Sequence, residues 1–396
     1  MQHDPLAFLD DDLQALNDAG LYRTQRVLET EQAARVVMDD KPLVTLSTNN
    51  YLGLTTHPRL KAAAKAAIDE YGVGAGSVRT IAGTMSLHEQ LEVRLAAFKH
   101  APAALTYQSG YATNLGLLSA LLTDRDVVVS DELNHASIID GLRLSPAKRL
   151  IYAHCDLDAL ETRLREAREL NPRLMLVITD GVFSMDGDIA PLPGIVALAE
   201  QYGAAVMVDD AHSSGVLGRN GRGTVDHFDL HGRVALQVGT LSKAIGAVGG
   251  YVAGSVAVRN LMIQRSRAYL FTTALPPSVA ATCLAALDVL EDEPQLLERL
   301  WENTRFFQSG LRDLGFDTGR TATPITPVMV GDEVLAASLS ARLFDAGVFA
   351  QPIIFPMVAR GNARLRAIVT AGHSRDDLAF CLETFAQAGR ELGIIG

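Results

Sequence analysis

The chain has 396 residues, 48% hydrophobic and 20% charged, with 35 lysines and arginines against 46 aspartates and glutamates. The formal net charge of -11 argues against nucleic acid or an anionic membrane as a bulk partner, but leaves room for a local basic patch that holds a phosphorylated ligand. The length suits two or three domains, or one large domain with an appendage, and with only 6% aromatics the interior must be filled by Ala, Val, Leu and Ile.

The opening MQHDPLAFLDDDLQAL is acidic and lacks the basic and apolar regions of a signal peptide, so a cytoplasmic location is expected. Residues 1–45 read as a helical arm with a short connection. Two stretches, Ala101–Thr123 and Ala268–Leu287, lack charge for about the length of a membrane span. Gln108, Ser109, Thr113 and Asn114 interrupt the first, and Pro276 and Pro277 the second. Both therefore read as buried segments, with no membrane span expected. DVVVSD (126–131), LMLVITDG (174–181), AAVMVDDAH (204–212) and VALQVGT (234–240) read as buried strands. LDALETRLREARE (157–169) and LPGIVALAEQYG (192–203) read as helices between them. This alternation predicts a large α/β domain over 46–285 with a mostly parallel central sheet, which binds ligands at the carboxyl ends of its strands.

Beyond residue 285 the pattern changes. PQLLERLWENTRFFQSGLRDLG predicts a helix, followed by TPITPVMVG, another helix, FAQPIIFP and ARLRAIVTAGH. Residues 286–396 thus read as a small C-terminal α+β domain. Ser374 and Asp377 have the spacing of a capping box for the last helix. Cys155, Cys283 and Cys381 are far apart and form no CxxC, which argues against a zinc framework or a disulfide scaffold.

Several of these elements carry polar residues at their ends. YGVGAGSVR (71–79) fails the dinucleotide fingerprint, because Ser77 stands where a third glycine is needed and a helical stretch precedes it. Ser109, Gly110 and Tyr111 precede a predicted helix, whose free N–H groups suit either a phosphate or an ordinary cap. His135 and Ser184 follow predicted strands, and either could be structural. Asp209 ends the apolar run VMV, and His212 follows it. A carboxylate there needs a partner: a metal, an arginine or a cationic cofactor. Lys243 lies one strand further on in GTLSKAIGAVGG, among small residues. Buried lysines can be neutral enough to attack carbonyls. A lysine for a carbonyl adduct, an aspartate for a pyridinium nitrogen and a helix start for a phosphate together suit pyridoxal 5'-phosphate (PLP). No metal site is expected.

NNYLGL (49–54), SVRTIAGT (77–84), NHASIIDG (134–141), DGVFSMDGD (180–188), VDDAHSSGVLG (208–218), GTLSKAIG (239–246), YLFTTALPP (269–277) and ARLRAIVTAGH (363–373) resemble the α-oxoamine synthase family of fold-type I PLP enzymes. The resemblance spans nearly the whole chain. It implies a homodimeric acyltransferase that joins an amino acid to an acyl-CoA. SVRTIAGT, LNHASIIDGLRL, RSRAYLF and the ending LGIIG resemble the glycine C-acetyltransferase branch, which implies glycine and acetyl-CoA as substrates and 2-amino-3-oxobutyrate as product. DDAHSSG departs from that branch, since its alanine before the histidine is common in the 8-amino-7-oxononanoate synthases. Alanine with a pimeloyl thioester is therefore the alternative, with serine palmitoyltransferase another member of the family. An aminotransferase is the rival within PLP enzymes. By resemblance, Lys243 would hold PLP covalently, Asp209 would pair with its ring nitrogen, and His212 and Ser184 would address its phenolic oxygen. His135 would stack on the ring. Gly110, Tyr111 and Thr240 would hold the phosphate, with Thr272 and Thr273 arriving from a second subunit. Arg366 would bind the amino-acid carboxylate, with Asn50 near the substrate.

Overall fold

The computed structural model describes residues 5–18, 21, 22 and 24–396; residues 1–4, 19, 20 and 23 of the expected arm lie outside them. The strands are β1 (Arg35–Met38), β2 (Lys41–Thr45), β3 (Ala103–Tyr107), β4 (Asp126–Asp131), β5 (Lys148–Tyr152), β6 (Leu174–Asp180), β7 (Ala205–Asp209), β8 (Leu236–Thr240), β9 (Gly250–Gly254), β10 (Ile325–Gly331), β11 (Val348–Phe349), β12 (Gln351–Ile353) and β13 (Ala363–Ile368). Seven of them form the central sheet in the order β3-β9-β8-β7-β6-β4-β5. β9 runs antiparallel to β3 and β8, and every other pair is parallel.

The apolar runs become strands because both faces of this sheet are covered. Val127, Val129, Val177, Val206 and Val208 point into one buried cluster, and Val128, Leu176, Ile178, Met207 and Val238 into the other. Such a strand has no polar face, so it reads as continuous apolar sequence. The helices Leu157–Glu169 and Leu192–Tyr202 pack on one face, as their spacing predicts. The uncharged stretch 101–123 resolves into β3 and the helix Gly110–Leu121, and 268–287 contains the start of the helix Pro277–Asp292. No helix among the described residues is long and apolar enough to cross a membrane.

β10, β13 and β12 form a second, antiparallel sheet with β13 in the middle. β1 and β2 form a hairpin, and β2 pairs in parallel with β11, which ties the N-terminal segment to the C-terminal part of the chain. The last helix, Arg375–Glu391, begins with the capping box: Ser374 Oγ accepts from Asp377 N at 3.1 Å, and Asp377 Oδ2 accepts from Ser374 N at 2.9 Å. Replacing Ser374 by alanine should cost about 1 kcal/mol locally. Amide exchange in this helix should accelerate about five-fold. Unchanged protection would contradict the cap's contribution.

One fully buried ion pair supports the carboxyl end of β7. Lys99 Nζ lies 2.6 Å from Asp210 Oδ2 and donates also to the Arg222 carbonyl. Asp210 Oδ1 accepts from Ser213 Oγ at 2.5 Å and from Thr224 N at 3.2 Å. Both carboxylate oxygens and the ammonium thus have partners, as a buried pair requires. This network fixes the turn that carries Asp209 on one side and His212 on the other.

Candidate active site

Order along the sheet reverses between β4 and β6, and open α/β sheets bind ligands at such a switch point. The carboxyl ends of β4, β6 and β7 lead directly to His135, Asp180 and Asp209. These three residues line a cavity of about 210 Å³ with Ser109, Gly110, Tyr111, Ser137, Ala211, His212, Thr240, Ser242 and Lys243. Of the residues expected from the sequence, Gly110, Tyr111, His135, Asp209, His212, Thr240 and Lys243 are thus brought together.

One wall is the start of the helix Gly110–Leu121. Ser109 caps it, its Oγ accepting from Ala112 N at 3.0 Å. That leaves the N–H groups of Gly110 and Tyr111 free for an anion at the positive end of the helix. A Cβ on Gly110 would sit 3.2 Å from Thr240 Cβ, so glycine allows the helix to approach β8. Thr240 Oγ1 hydrogen-bonds Ser242 Oγ at 2.7 Å.

The cavity also carries a carboxylate, held to this same helix. Asp209 is 5% exposed; its Oδ2 accepts from Asn114 Nδ2 at 2.7 Å and its Oδ1 from Ala211 N at 2.9 Å. Asn114 Nδ2 also donates to Ser137 Oγ at 2.9 Å, and Ser137 Oγ lies 2.8 Å from His135 Nδ1. Burial pushes the His135 imidazolium toward its neutral form, and the Asp209 charge partly offsets this. His212 is held well below the usual histidine range by burial and by the charges of Lys243, Arg366 and His135. Its Nδ1 lies 2.8 Å from the hydroxyl of Tyr51. Burial raises the Tyr51 hydroxyl to about 12, so it remains a donor. A neutral His212 that accepts at Nδ1 carries its proton on Nε2, which is then available to the cavity.

The Lys243 Nζ makes no hydrogen bond or ion pair with a described residue, while its backbone carbonyl accepts from Gly246 N at 2.9 Å. Burial lowers its ammonium to about 8, against the opposing charges of Asp209 and Asp180; Arg366 lowers it further. The uncharged amine is the form that attacks an aldehyde. Uptake of PLP by the apoenzyme should therefore accelerate as pH rises to about 8 and level off above it. A rate that climbs until pH 10 or beyond would contradict a depressed lysine. The set fits PLP: an unpartnered, partly neutral amine, a buried carboxylate in the same cavity, and free N–H groups at a helix start.

Arg366 lies on the adjoining side, in a pocket with Ser47, Thr48, Asn49, Phe349, Gln351 and Ile353. Its Nε donates to the Ser184 carbonyl at 2.5 Å and its Nη2 to Asn49 Oδ1 at 3.4 Å. The amide of Asn50, which is expected near the substrate, is engaged within the chain. Its Nδ2 donates to the Gln32 carbonyl at 3.1 Å and Thr55 Oγ1 at 2.7 Å, and its Oδ1 accepts from Thr55 N at 3.3 Å. Asn49 is the one that faces Arg366. Ser184, whose hydroxyl is expected to address the phenolic oxygen, meets Arg366 through its carbonyl. Thr272 and Thr273 do not line the Lys243 cavity of their own chain; the Thr273 carbonyl accepts from Gln108 Nε2.

Tyr51, Asn49, Asn114, Ser137 and Asp180 were not foreseen. Asp180 had a legible signal, since it ends the apolar run LMLVIT just as Asp209 ends VMV. Its carboxyl is pushed well up by burial and by the Asp209 charge, and its Oδ1 has no hydrogen-bond partner. Tyr51 and Asn114 are joined to the site only by tertiary structure.

The sequence profile of the aminotransferase class I and II family matches residues 41–385. The 8-amino-7-oxononanoate synthase of Exiguobacterium sibiricum is 60% identical over 97% of this chain and 98% of its own length. That of Symbiobacterium thermophilum is 57% identical over 98% of this chain and 99% of its own. A solved serine palmitoyltransferase holding PLP as its internal aldimine is 34% identical, covering 99% of this chain and 100% of its own, with a TM-score of 0.92. The chain belongs to the aminotransferase class I and II family and, within it, to the PLP-dependent α-oxoamine synthases of fold-type I.

Proposed function

We propose that the protein is an 8-amino-7-oxononanoate synthase of biotin synthesis. It joins L-alanine to a pimeloyl thioester, of coenzyme A or an acyl carrier, and releases carbon dioxide. The observation that carries this reading is the 60% and 57% identity to synthases of that name over nearly full length. The expected preference for glycine and acetyl-CoA has no comparable support.

When bound, PLP supplies an aldehyde for the substrate amine and an electron sink for the pair left at Cα. The chain's residues do the rest. Lys243 is the covalent anchor, and its amine is the base that takes the proton from Cα. With PLP bound, Asp209 would keep a proton on the ring nitrogen. His212, its tautomer fixed by Tyr51, would donate from Nε2 to the phenolic oxygen. His135 would cover the ring face. Gly110 and Tyr111 would offer N–H groups to the phosphate, and Thr240 its hydroxyl. Thr272 and Thr273 would complete the phosphate site of a second copy in a homodimer. Arg366 pairs with the amino-acid carboxylate, a bidentate geometry that lysine cannot copy.

The test is kcat/KM for alanine, glycine and serine against acetyl-, succinyl-, pimeloyl- and palmitoyl-CoA. Alanine with pimeloyl-CoA should be best. Neighbouring chain lengths should overlap, since one methylene changes binding by only about 1–3 kcal/mol. An optimum at glycine and acetyl-CoA would refute the assignment. Turnover with a 2-oxo acid and no CoA release would make the protein an aminotransferase.

A further inference from the structure

Next to Arg366 stands a second arginine with no role in the reading above. Arg364 and Arg366 are two residues apart on β13, so they share one face of the C-terminal sheet. Both reach the same hairpin of the large domain, closed by the Val182–Ile189 bridge. Arg366 Nε donates to the Ser184 carbonyl at 2.5 Å. Arg364 Nη1 donates to the Met185 carbonyl at 3.3 Å and pairs with Asp186 Oδ1. Three consecutive hairpin residues are thus held by two arginines of one strand.

The two arginines differ in how they are held. Arg364 is 5% exposed, and its Nε is also engaged, by the Asn362 carbonyl at 3.1 Å. Arg366 has the short bond to Ser184 and a longer one to Asn49, which leaves donors for an incoming carboxylate. The hairpin itself is pinned from its far side: the Gly187 carbonyl accepts from Thr323 Oγ1 at 2.8 Å and from Ala322 N at 3.1 Å. Gly187 has φ 72°, and a Cβ there would lie 2.5 Å from Thr321 Oγ1, so this docking needs glycine. Arg364 is buried but the Asp186 side chain is 39% exposed, so the pair adds little net stability and its use is to fix register. The register fixed here decides where the Ser184 carbonyl meets Arg366.

We propose that Asp186 and Arg364 are a positioning pair for amino-acid binding: their ion pair seats the 182–189 hairpin on β13 so that the Ser184 carbonyl aims Arg366 at the substrate carboxylate. The proposal rests on Arg366 being the carboxylate-binding residue. Asp186 and Arg364 touch no substrate and act through Arg366.

The experiment measures binding to the PLP-loaded enzyme without thioester, from the change in cofactor absorption. The two probes are L-alanine and ethylamine, which is alanine without its carboxylate. Asp186→Asn should raise the Kd for alanine about 10-fold, the size of one lost charged hydrogen bond. It should leave the Kd for ethylamine unchanged. Arg364→Lys, which keeps the charge but has no second nitrogen for the Asn362 carbonyl that Nε holds, should shift alanine binding in the same direction. Placed in an Arg366→Ala background, Asp186→Asn should add nothing, because the residue it aims is gone. PLP stoichiometry and thermal unfolding identify a variant that has not folded, and Arg364→Lys is then decisive. An unchanged alanine Kd in folded Asp186→Asn and Arg364→Lys, with a weakened Arg366→Ala, overturns the positioning pair and leaves the carboxylate reading intact. Equal losses for alanine and ethylamine, or full additivity with Arg366→Ala, also overturn it. Alanine binding undisturbed by Arg366→Ala overturns the carboxylate reading and the proposal together.

Discussion

Lys243→Ala loses activity by a factor on the order of 10⁴, the upper range for a general base. On the proposed mechanism the side chain has two tasks, anchoring the cofactor and moving the Cα proton, and no neighbour can take over either. Among the residues lining the cavity, Lys243 is the only lysine. The variant should still fold, because the Nζ makes no hydrogen bond or ion pair whose loss would leave a buried partner stranded. Borohydride treatment of the native enzyme followed by peptide mapping should find pyridoxyl-lysine at 243, and the variant should give none. Label at another lysine, or near-native turnover in folded Lys243→Ala, would contradict the assignment.

Asp209→Asn retains PLP and loses turnover about 100-fold or more, as removal of a preorganised electrostatic group does. The carboxylate now accepts from Asn114 Nδ2 and Ala211 N while facing the cavity. An amide of the same shape accepts through one atom only, and its NH₂ placed toward Asn114 would meet another donor. It also cannot keep a proton on the ring nitrogen, so the pair left at Cα is less well delocalised. The loss should fall on Cα deprotonation, read as slower exchange of the alanine α-hydrogen with solvent deuterium, while PLP stoichiometry stays at one per chain. Exchange at the native rate in a folded variant would refute the role.

The sequence displays this site unevenly, for physical reasons. Asp209 and Lys243 are legible because a charge at the end of an apolar run has to be accounted for. Asp180 obeys the same rule and could have been found by it. Asn49 and Asn50 are adjacent in a turn with no periodicity to say which side chain faces Arg366, and it is Asn49 that does. Ser184 contributes through its backbone, which sequence does not advertise. β9 was hidden because its glycines resemble the tail of the lysine loop. They are needed there: a Cβ on Gly250 would lie 2.5 Å from the Gly110 nitrogen. The motifs that suggested glycine as substrate also have a structural explanation. SVRTIAGT contains Arg79, whose buried pairing with Glu92 holds the fold, and Ile81 is exposed. In DDAHSSG, by contrast, Ala211 lines the cavity itself. Of the two stretches that pointed to different substrates, the one with a residue in the cavity is DDAHSSG.

The central claim, decarboxylating condensation of alanine with a pimeloyl thioester, is tested most directly with alanine labelled at its carboxyl carbon. Incubated with pimeloyl-CoA and the PLP-loaded enzyme, it should release labelled carbon dioxide in step with free CoA, and 8-amino-7-oxononanoate should accumulate without label. Free CoA released with the label retained in the condensation product, or no CoA released at all, would contradict the account.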